Sequence, residues 1–99
     1  MVKLVVLYGQ PSDPAAFDEY YAGTHVPLVH KIPNLRRFEA GKVLGTPDGG
    51  APPFYYAAEL WFEDADELQA SLGSPEGEAT AADVEISASG GATVMIAEA

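Results

Sequence analysis

The two histidines, His25 and His30, are the side chains of this sequence best suited to acid–base chemistry, because imidazole titrates near neutral pH. They stand five residues apart, whereas metal-binding pairs on one helix face are usually three or four residues apart. No aspartate or glutamate stands at a matching offset from either histidine. The spacing therefore argues against a metal site and leaves proton transfer or ligand orientation as the chemistry to test.

The segment from Asp13 to Pro33 must position both histidines. Asp13-Pro14 is typical of a helix start, since the carboxylate can cap free N–H groups and proline fits the first helical position. At about 100° per residue, one face of this helix carries an apolar and aromatic stripe that ends at an imidazole. Its members are Phe17, Tyr21, Thr24, His25 and Leu28.

Gly23 and Pro27 interrupt this stripe, so we expect the helix to end near Ala22 or Gly23. A short second turn would then carry His25 to His30. His30 precedes Lys31 and is expected at a solvent-exposed helix end. For His25 two interpretations remain open: a core or capping histidine bonded to the backbone, or a general acid/base or ligand donor beside a pocket.

Other candidate site residues are aromatic or acidic. Tyr8 ends an apolar segment and is a candidate donor to a ligand oxygen, or simply an amphipathic side chain at a strand end. Phe17 and Tyr21 are candidate substrate contacts, with core packing as the alternative. Glu59 and Trp61 share one face of a predicted strand. If that face lines a pocket, the indole would raise the pKa of Glu59 and make it a base; otherwise Glu59 is a surface charge.

Composition excludes several classes of protein. The 99 residues correspond to one domain, 1–99, and a net charge of −10 disfavours binding to nucleic acid and to anionic membranes, so neither is expected as a partner. There is no cysteine and no membrane-length apolar segment, so we expect a soluble cytoplasmic protein. The glycine-rich stretch 45–50 lacks the strand and helix of a dinucleotide site, and no P-loop or nucleophile elbow is present. We therefore expect no cofactor.

Period-two and period-3.6 patterns predict strands at 2–8, 35–44, 54–63 and 92–98, with Gly41 as a bulge candidate in the second. Helices are predicted after Asp13, from Asp64 to Gly73, and from Ser74, the last with Ala79, Ala82 and Ile86 as its inner face. This order is the ferredoxin-like split βαβ arrangement, an α+β fold with a four-stranded antiparallel sheet.

In that fold both helical layers cover one face of the sheet. The opposite face would here still carry apolar and aromatic side chains, and an exposed apolar face of this size usually has a partner. We expect a symmetric homodimer whose two sheets close into an α/β barrel, with the ligand pocket in its interior.

Several short motifs are distributed over nearly the whole chain. They are Leu7-Tyr8, Asp13-Pro14, Phe17-Asp18-x-Tyr20-Tyr21, His25-x-Pro27-Leu28, Ile32-Pro33, Ser74-Pro75-Glu76-Gly77 and Ala81-Ala82-Asp83-Val84. In these motifs the chain resembles the EthD family, small proteins of the dimeric α/β-barrel superfamily associated with ethyl tert-butyl ether degradation. The resemblance implies the ferredoxin-like fold, a homodimer, a hydrophobic pocket under the sheet that carries the helices, and His25 as acid/base.

Three functions remain open. The leading hypothesis is a cofactor-independent oxidoreductase or isomerase acting on a small hydrophobic or aromatic oxygen-bearing molecule. In it His25 shuttles a proton, Tyr8 orients an oxygen and Trp61 packs on the substrate. The alternatives are a non-catalytic carrier of a hydrophobic metabolite and a haem-binding barrel with His25 as axial ligand, although the acidic net charge disfavours haem propionates.

Overall fold

The computed structural model describes residues 1–99 as an α+β fold of the ferredoxin-like type, which confirms the expected architecture. Its elements are β1 Val2–Tyr8, α1 Pro14–Tyr20, a π-helical turn Tyr21–His25, α2 Val26–Val29, β2 Arg37–Lys42, β3 Tyr56–Phe62, α3 Ala65–Leu72, α4 Pro75–Ser87 and β4 Ala92–Glu98. The sheet order is β2-β3-β1-β4, and every neighbouring pair is antiparallel. No helix combines the length and apolar character needed to cross a bilayer.

The strands follow the predicted segments closely. β1 and β4 have the expected bounds, whereas β2 and β3 are shorter than predicted at both ends. The expected bulge at Gly41 is wrong, because Gly41 pairs with Ala57 in an unbroken register along β2 and β3. A residue without a side chain can keep regular pairing on an edge strand, so this glycine needs no bulge.

Alternation along the central strands separates the two faces of the sheet. Leu4, Val6 and Tyr8 of β1 face the helices, as do their partners on β3. The buried side chains of this layer form two adjacent clusters under α1, α2 and α3: Val6, Tyr8, Phe17, Tyr21 and Ala58, and then Val29, Ile32, Leu60, Phe62 and Leu68. The core therefore lies entirely on the helix side of the sheet.

The helical segment after Asp13 does not break where expected. Asp13 caps it by accepting from the Ala16 N–H, but the chain continues helically from α1 to α2 through the π turn. In that turn the Val26 N–H donates to the Tyr21 carbonyl, one residue further back than in an α-helix. Pro27 lies in the first turn of α2, where its missing N–H removes no bond of that helix.

The π turn also changes which side chains are buried. Phe17, Tyr21, His25 and Val29 are buried, each four residues after the last, whereas Thr24, predicted inside, is exposed. In a regular α-helix, four-residue steps drift by about 40° each. The wider π turn counters this drift, and His25 therefore faces the sheet.

The prediction for α4 is correct in its start and wrong in its inner face. Ser74 caps the helix by accepting from the Gly77 N–H, but Ala79, Ala82 and Ile86 face outward, Ile86 with 70% exposure. The buried face is small and polar: Gly77, Thr80, Asp83 and Ser87. Thr80 donates to the carbonyls of Glu76 and Leu28, and Ser87 donates to the carbonyl of Asp83. Hydrogen-bond partners, rather than hydrophobicity, thus determine the orientation of α4.

Gly77 is required where α4 passes the end of α3. A Cβ at this position would lie 2.2 Å from the Ser71 carbonyl oxygen and 2.7 Å from Leu72 Cα. We expect Gly77→Ala to lower the free energy of unfolding by about 1–3 kcal/mol through overpacking, as measured by urea denaturation. The control is Gly23→Ala, since nothing lies within 4 Å of a Cβ there. It should be stabilising by about 0.5–1 kcal/mol. Equal effects of the two substitutions would contradict this packing argument.

Candidate functional site

A cavity of about 540 Å³ lies between the helix-facing side of the sheet and the helices. This volume is within the usual range for sites that bind small molecules. Fifteen of its twenty lining residues are hydrophobic, and they come from all four strands and from each helical element except α1. It lies under the helices of one chain, whereas the expected barrel interior would lie on the open face of the sheet, between two chains. The cavity forms on this side because the helices cover this face of the sheet.

His25 lines this cavity and is buried. It is 3% exposed, and its Nδ1 lies 2.8 Å from Asp83 Oδ2. Because a carboxylate only accepts hydrogen bonds, this contact places the proton of a neutral His25 on Nδ1. Nε2 then keeps its lone pair and lies 3.4 Å from the Tyr8 hydroxyl oxygen, a long contact. The arrangement leaves a proton acceptor beside an apolar space.

Asp83 is held from two sides. Its Oδ1 accepts a hydrogen bond from the Tyr20 hydroxyl at 2.5 Å, while Oδ2 binds His25. The bond to Asp83 raises the pKa of Tyr20, which therefore stays protonated and keeps donating. With both carboxylate oxygens occupied, Asp83 fixes the orientation and the tautomer of the imidazole.

Asp83 and Tyr20 are the site residues that the sequence reasoning missed. The available signal was the spacing of small and polar residues along α4, where Gly77, Thr80 and Asp83 recur every three residues. That spacing indicates a polar helix face as clearly as an apolar stripe indicates a hydrophobic one. It could not show which partner Asp83 meets, because His25 is 58 positions away.

Tyr8 and Tyr21 complete the polar end of the cavity. Their rings pack edge to face with centroids 5.6 Å apart, and both are almost fully buried. Burial raises the pKa of both phenols, so each is neutral at pH 7 and can donate a hydrogen bond. The Tyr21 hydroxyl is buried, and the Tyr8 hydroxyl lies close enough to contribute to its raised pKa, but no group meets it in hydrogen-bonding geometry. A buried hydroxyl without a partner is unfavourable, and this one is available to a ligand oxygen.

The structure does not bring all the predicted residues together. Phe17 is buried behind the cavity, stacked on Tyr21 at a centroid distance of 5.6 Å, and supports the site without lining it. His30 is exposed at the end of α2 and packs on Phe38, as expected for a solvent-exposed helix end.

Glu59 and Trp61 lie on the opposite face of the sheet. Trp61 pairs with Lys3 across β1 and β3, and side chains of this register point away from the helices. Its indole lies between Lys3 and Arg37, at 5.4 Å and 5.0 Å from their charged groups, while Glu59 binds Lys3 at 2.6 Å. Neither residue lines the cavity. Nowhere in residues 1–99 do three histidine or acidic side chains come together as a metal site would require.

The adjacent residues Tyr20 and Tyr21 provide a matched pair of hydroxyl deletions. Tyr20→Phe removes a donor to Asp83, and we expect it to lower the free energy of unfolding. Tyr21→Phe removes a hydroxyl that has no partner, and it should leave stability unchanged or raise it by up to about 1 kcal/mol. Urea denaturation of both variants checks this order. A larger loss in Tyr21→Phe would show that its hydroxyl is bonded within the protein.

Comparison with known proteins agrees with this architecture. The model of the EthD domain matches residues 9–86. An uncharacterised 11.0 kDa protein of the thcB–thcC intergenic region of Rhodococcus erythropolis is 46% identical over 98 residues, covering 99% of this chain and 94% of the relative. The crystal structure of an EthD family protein from Bacillus halodurans is 41% identical, with a TM-score of 0.94 and coverage of 100% and 98% of the two chains.

More distant structures share the fold alone. A dimeric ferredoxin-like protein from Jannaschia is 17% identical with a TM-score of 0.75, covering 99% of this chain and 98% of that one. SnoaB from Streptomyces nogalater, a cofactor-independent oxygenase, is 19% identical with a TM-score of 0.67, covering 99% and 91%. The family model spans most of the chain, and the close relatives span nearly all of it. On this evidence the chain belongs to the EthD family.

Proposed function

We propose that this protein binds a small, apolar, oxygen-bearing molecule in the cavity under its helices and transfers a proton to or from it through His25. The observation that carries the proposal is the buried His25–Asp83 pair beside an apolar cavity. An ionisable pair is costly to bury unless its geometry is good and its remaining polar atoms are hydrogen-bonded. Here one imidazole nitrogen is bonded to Asp83 and the other is left beside the cavity.

The chemistry follows from the two imidazole nitrogens. Nε2 accepts a proton from an acidic C–H beside a carbonyl, or from a phenolic O–H, and Asp83 stabilises the imidazolium that results. The electron pair left on the ligand moves to its oxygen, where the neutral hydroxyls of Tyr8 and Tyr21 can donate hydrogen bonds. Return of the proton to another carbon yields an isomer, and no electron is gained or lost.

This proton transfer is common to the isomerase and oxygenase hypotheses. One structure of the same fold is a cofactor-independent oxygenase, which supports dioxygen as the co-substrate to test. The long Tyr8–His25 contact also supports the proposal, because a weakly bonded hydroxyl can turn to a ligand at little cost. A carrier would need the apolar walls but not the buried carboxylate behind the imidazole.

Proton transfer can be measured with 2-acetylnaphthalene, a two-ring ketone with an exchangeable methyl group, as the probe. We expect the protein to catalyse deuterium incorporation from D₂O, followed by NMR. His25→Gln and His25→Ala should lower the rate by about 10²–10⁴-fold, the usual contribution of a general base, while ligand affinity changes little. A dioxygen electrode in the same reaction separates proton transfer alone from oxygenation.

The control for this experiment is His30→Gln, because His30 is exposed and does not line the cavity. It should retain the wild-type rate. Equal rates in His25→Gln and wild type would rule out the role given to His25. Binding of the probe with no exchange above the background rate would instead favour the carrier.

We further propose that the open face of the sheet is the interface of a homodimer. Val5, Leu7 and Met95 project from this face with no helix over them, and Met95 is 47% exposed. A two-fold symmetric contact between two such faces would cover them. A dimeric protein of the same fold supports this assembly.

Leu7→Glu tests the interface, since it places a charge at the centre of the open face. We expect wild type to be a dimer by light scattering and Leu7→Glu to have half that mass, with unchanged circular dichroism. Ile86→Glu is the matched control, because Ile86 is 70% exposed on α4 and should not affect the mass. A monomeric wild type would overturn the assembly.

A further inference from the structure

The charge of the ligand can be inferred from the charges around the cavity. No lysine or arginine is among the lining residues. Four of the five cationic side chains bind carboxylates elsewhere: Lys3 with Glu59, Arg36 with Glu67, Arg37 with Glu39, and Lys42 with Asp18. The fifth, Lys31, is exposed beyond α2. The cavity therefore contains no fixed cation that could neutralise an anionic ligand.

Acidic groups close to the cavity disfavour an anionic ligand further. Asp83 lies directly behind His25, and Glu85 belongs to the lining while remaining exposed to solvent. A carboxylate bound in the cavity would lose its hydration and lie near the acidic side chains of Glu85 and Asp83. Burial of an unpaired carboxylate is strongly unfavourable in an apolar environment.

The donors at the polar end are suited to a neutral acceptor instead. Tyr8 and Tyr21 both present phenolic hydroxyls that burial keeps protonated. The Tyr21 hydroxyl has no partner although the side chain is 2% exposed. A carbonyl or ether oxygen accepts a hydrogen bond from such a donor without bringing a charge into the cavity.

We infer that the cavity selects an uncharged apolar carbonyl compound, with its oxygen bonded to Tyr21, and rejects the carboxylate of the same shape. This inference rests on the proposed function, because it names the substrate class of the same site. In this inference Tyr21 recognises the ligand oxygen, and anions are excluded because the cavity has no cation to neutralise them.

Three naphthalenes of similar shape separate these contributions by equilibrium dialysis near neutral pH: 2-acetylnaphthalene, 2-ethylnaphthalene and 2-naphthoate. The ketone should bind about tenfold more tightly than the hydrocarbon, as expected for one hydrogen bond. The carboxylate should bind at least about 100-fold more weakly than the ketone.

Two variants assign the effect to residues. Tyr21→Phe should reduce the affinity for the ketone to about that for the hydrocarbon, and leave the hydrocarbon unchanged. Tyr55→Phe is its control, because the Tyr55 hydroxyl bonds to Asp18 outside the cavity. Glu85→Lys places a cation at the lining and should increase the affinity for 2-naphthoate several-fold relative to that for the ketone.

The outcomes distinguish this inference from the proposed function. If 2-naphthoate binds within about tenfold of the ketone, the inference is overturned, while deuterium exchange still tests His25 independently. Retention of the ketone preference in Tyr21→Phe would overturn the role of Tyr21. If the ketone binds in the expected order but does not exchange, only the proposed function fails. If none of the three probes binds, both fail.

Discussion

The buried contact between His25 and Asp83 is the interaction on which the helical layer depends. A carboxylate and an imidazole with almost no exposure are costly to bury, and the cost is offset where their polar atoms are hydrogen-bonded. Tyr20 bonds to the second oxygen of Asp83, whereas Tyr8 makes only a long contact with Nε2 of His25. The pair also joins elements far apart in the chain, since one residue ends the π turn and the other lies in the middle of α4. The π turn and the small, polar face of α4 both help to form this contact.

The π turn and the small residues of α4 are two such features. Without the extra residue in the turn, the four-residue spacing from Phe17 to Val29 would rotate steadily around the helix, by about 40° a step, and the first and last of these side chains would not share one buried face. Gly77 lets α4 approach the end of α3, and Thr80 bonds to a carbonyl of α2. Together these contacts hold Asp83 within hydrogen-bonding distance of the imidazole.

Much of the fold followed from local patterns. Alternation located β1 and β4 to the residue, and the Asp64 and Ser74 caps located the starts of α3 and α4, because a cap acts through the next three residues. His25 and Tyr8 were recognisable as candidates from residue type and position. Trp61 and Glu59 could not be assigned to a face with a pocket, since alternation shows that two residues share a face but not which layer covers it.

The sequence by itself determined the order of elements and the importance of the segment around His25, since each depends on spacing within one stretch of chain. The order of elements in turn predicted the ferredoxin-like topology. Only the tertiary structure decided that the cavity lies under the helices, that α4 turns a polar face inward, and that Asp83 and Tyr20 complete the site. These features depend on contacts between residues many positions apart. Their energies come from hydrogen bonds and burial made across elements, which no local period encodes.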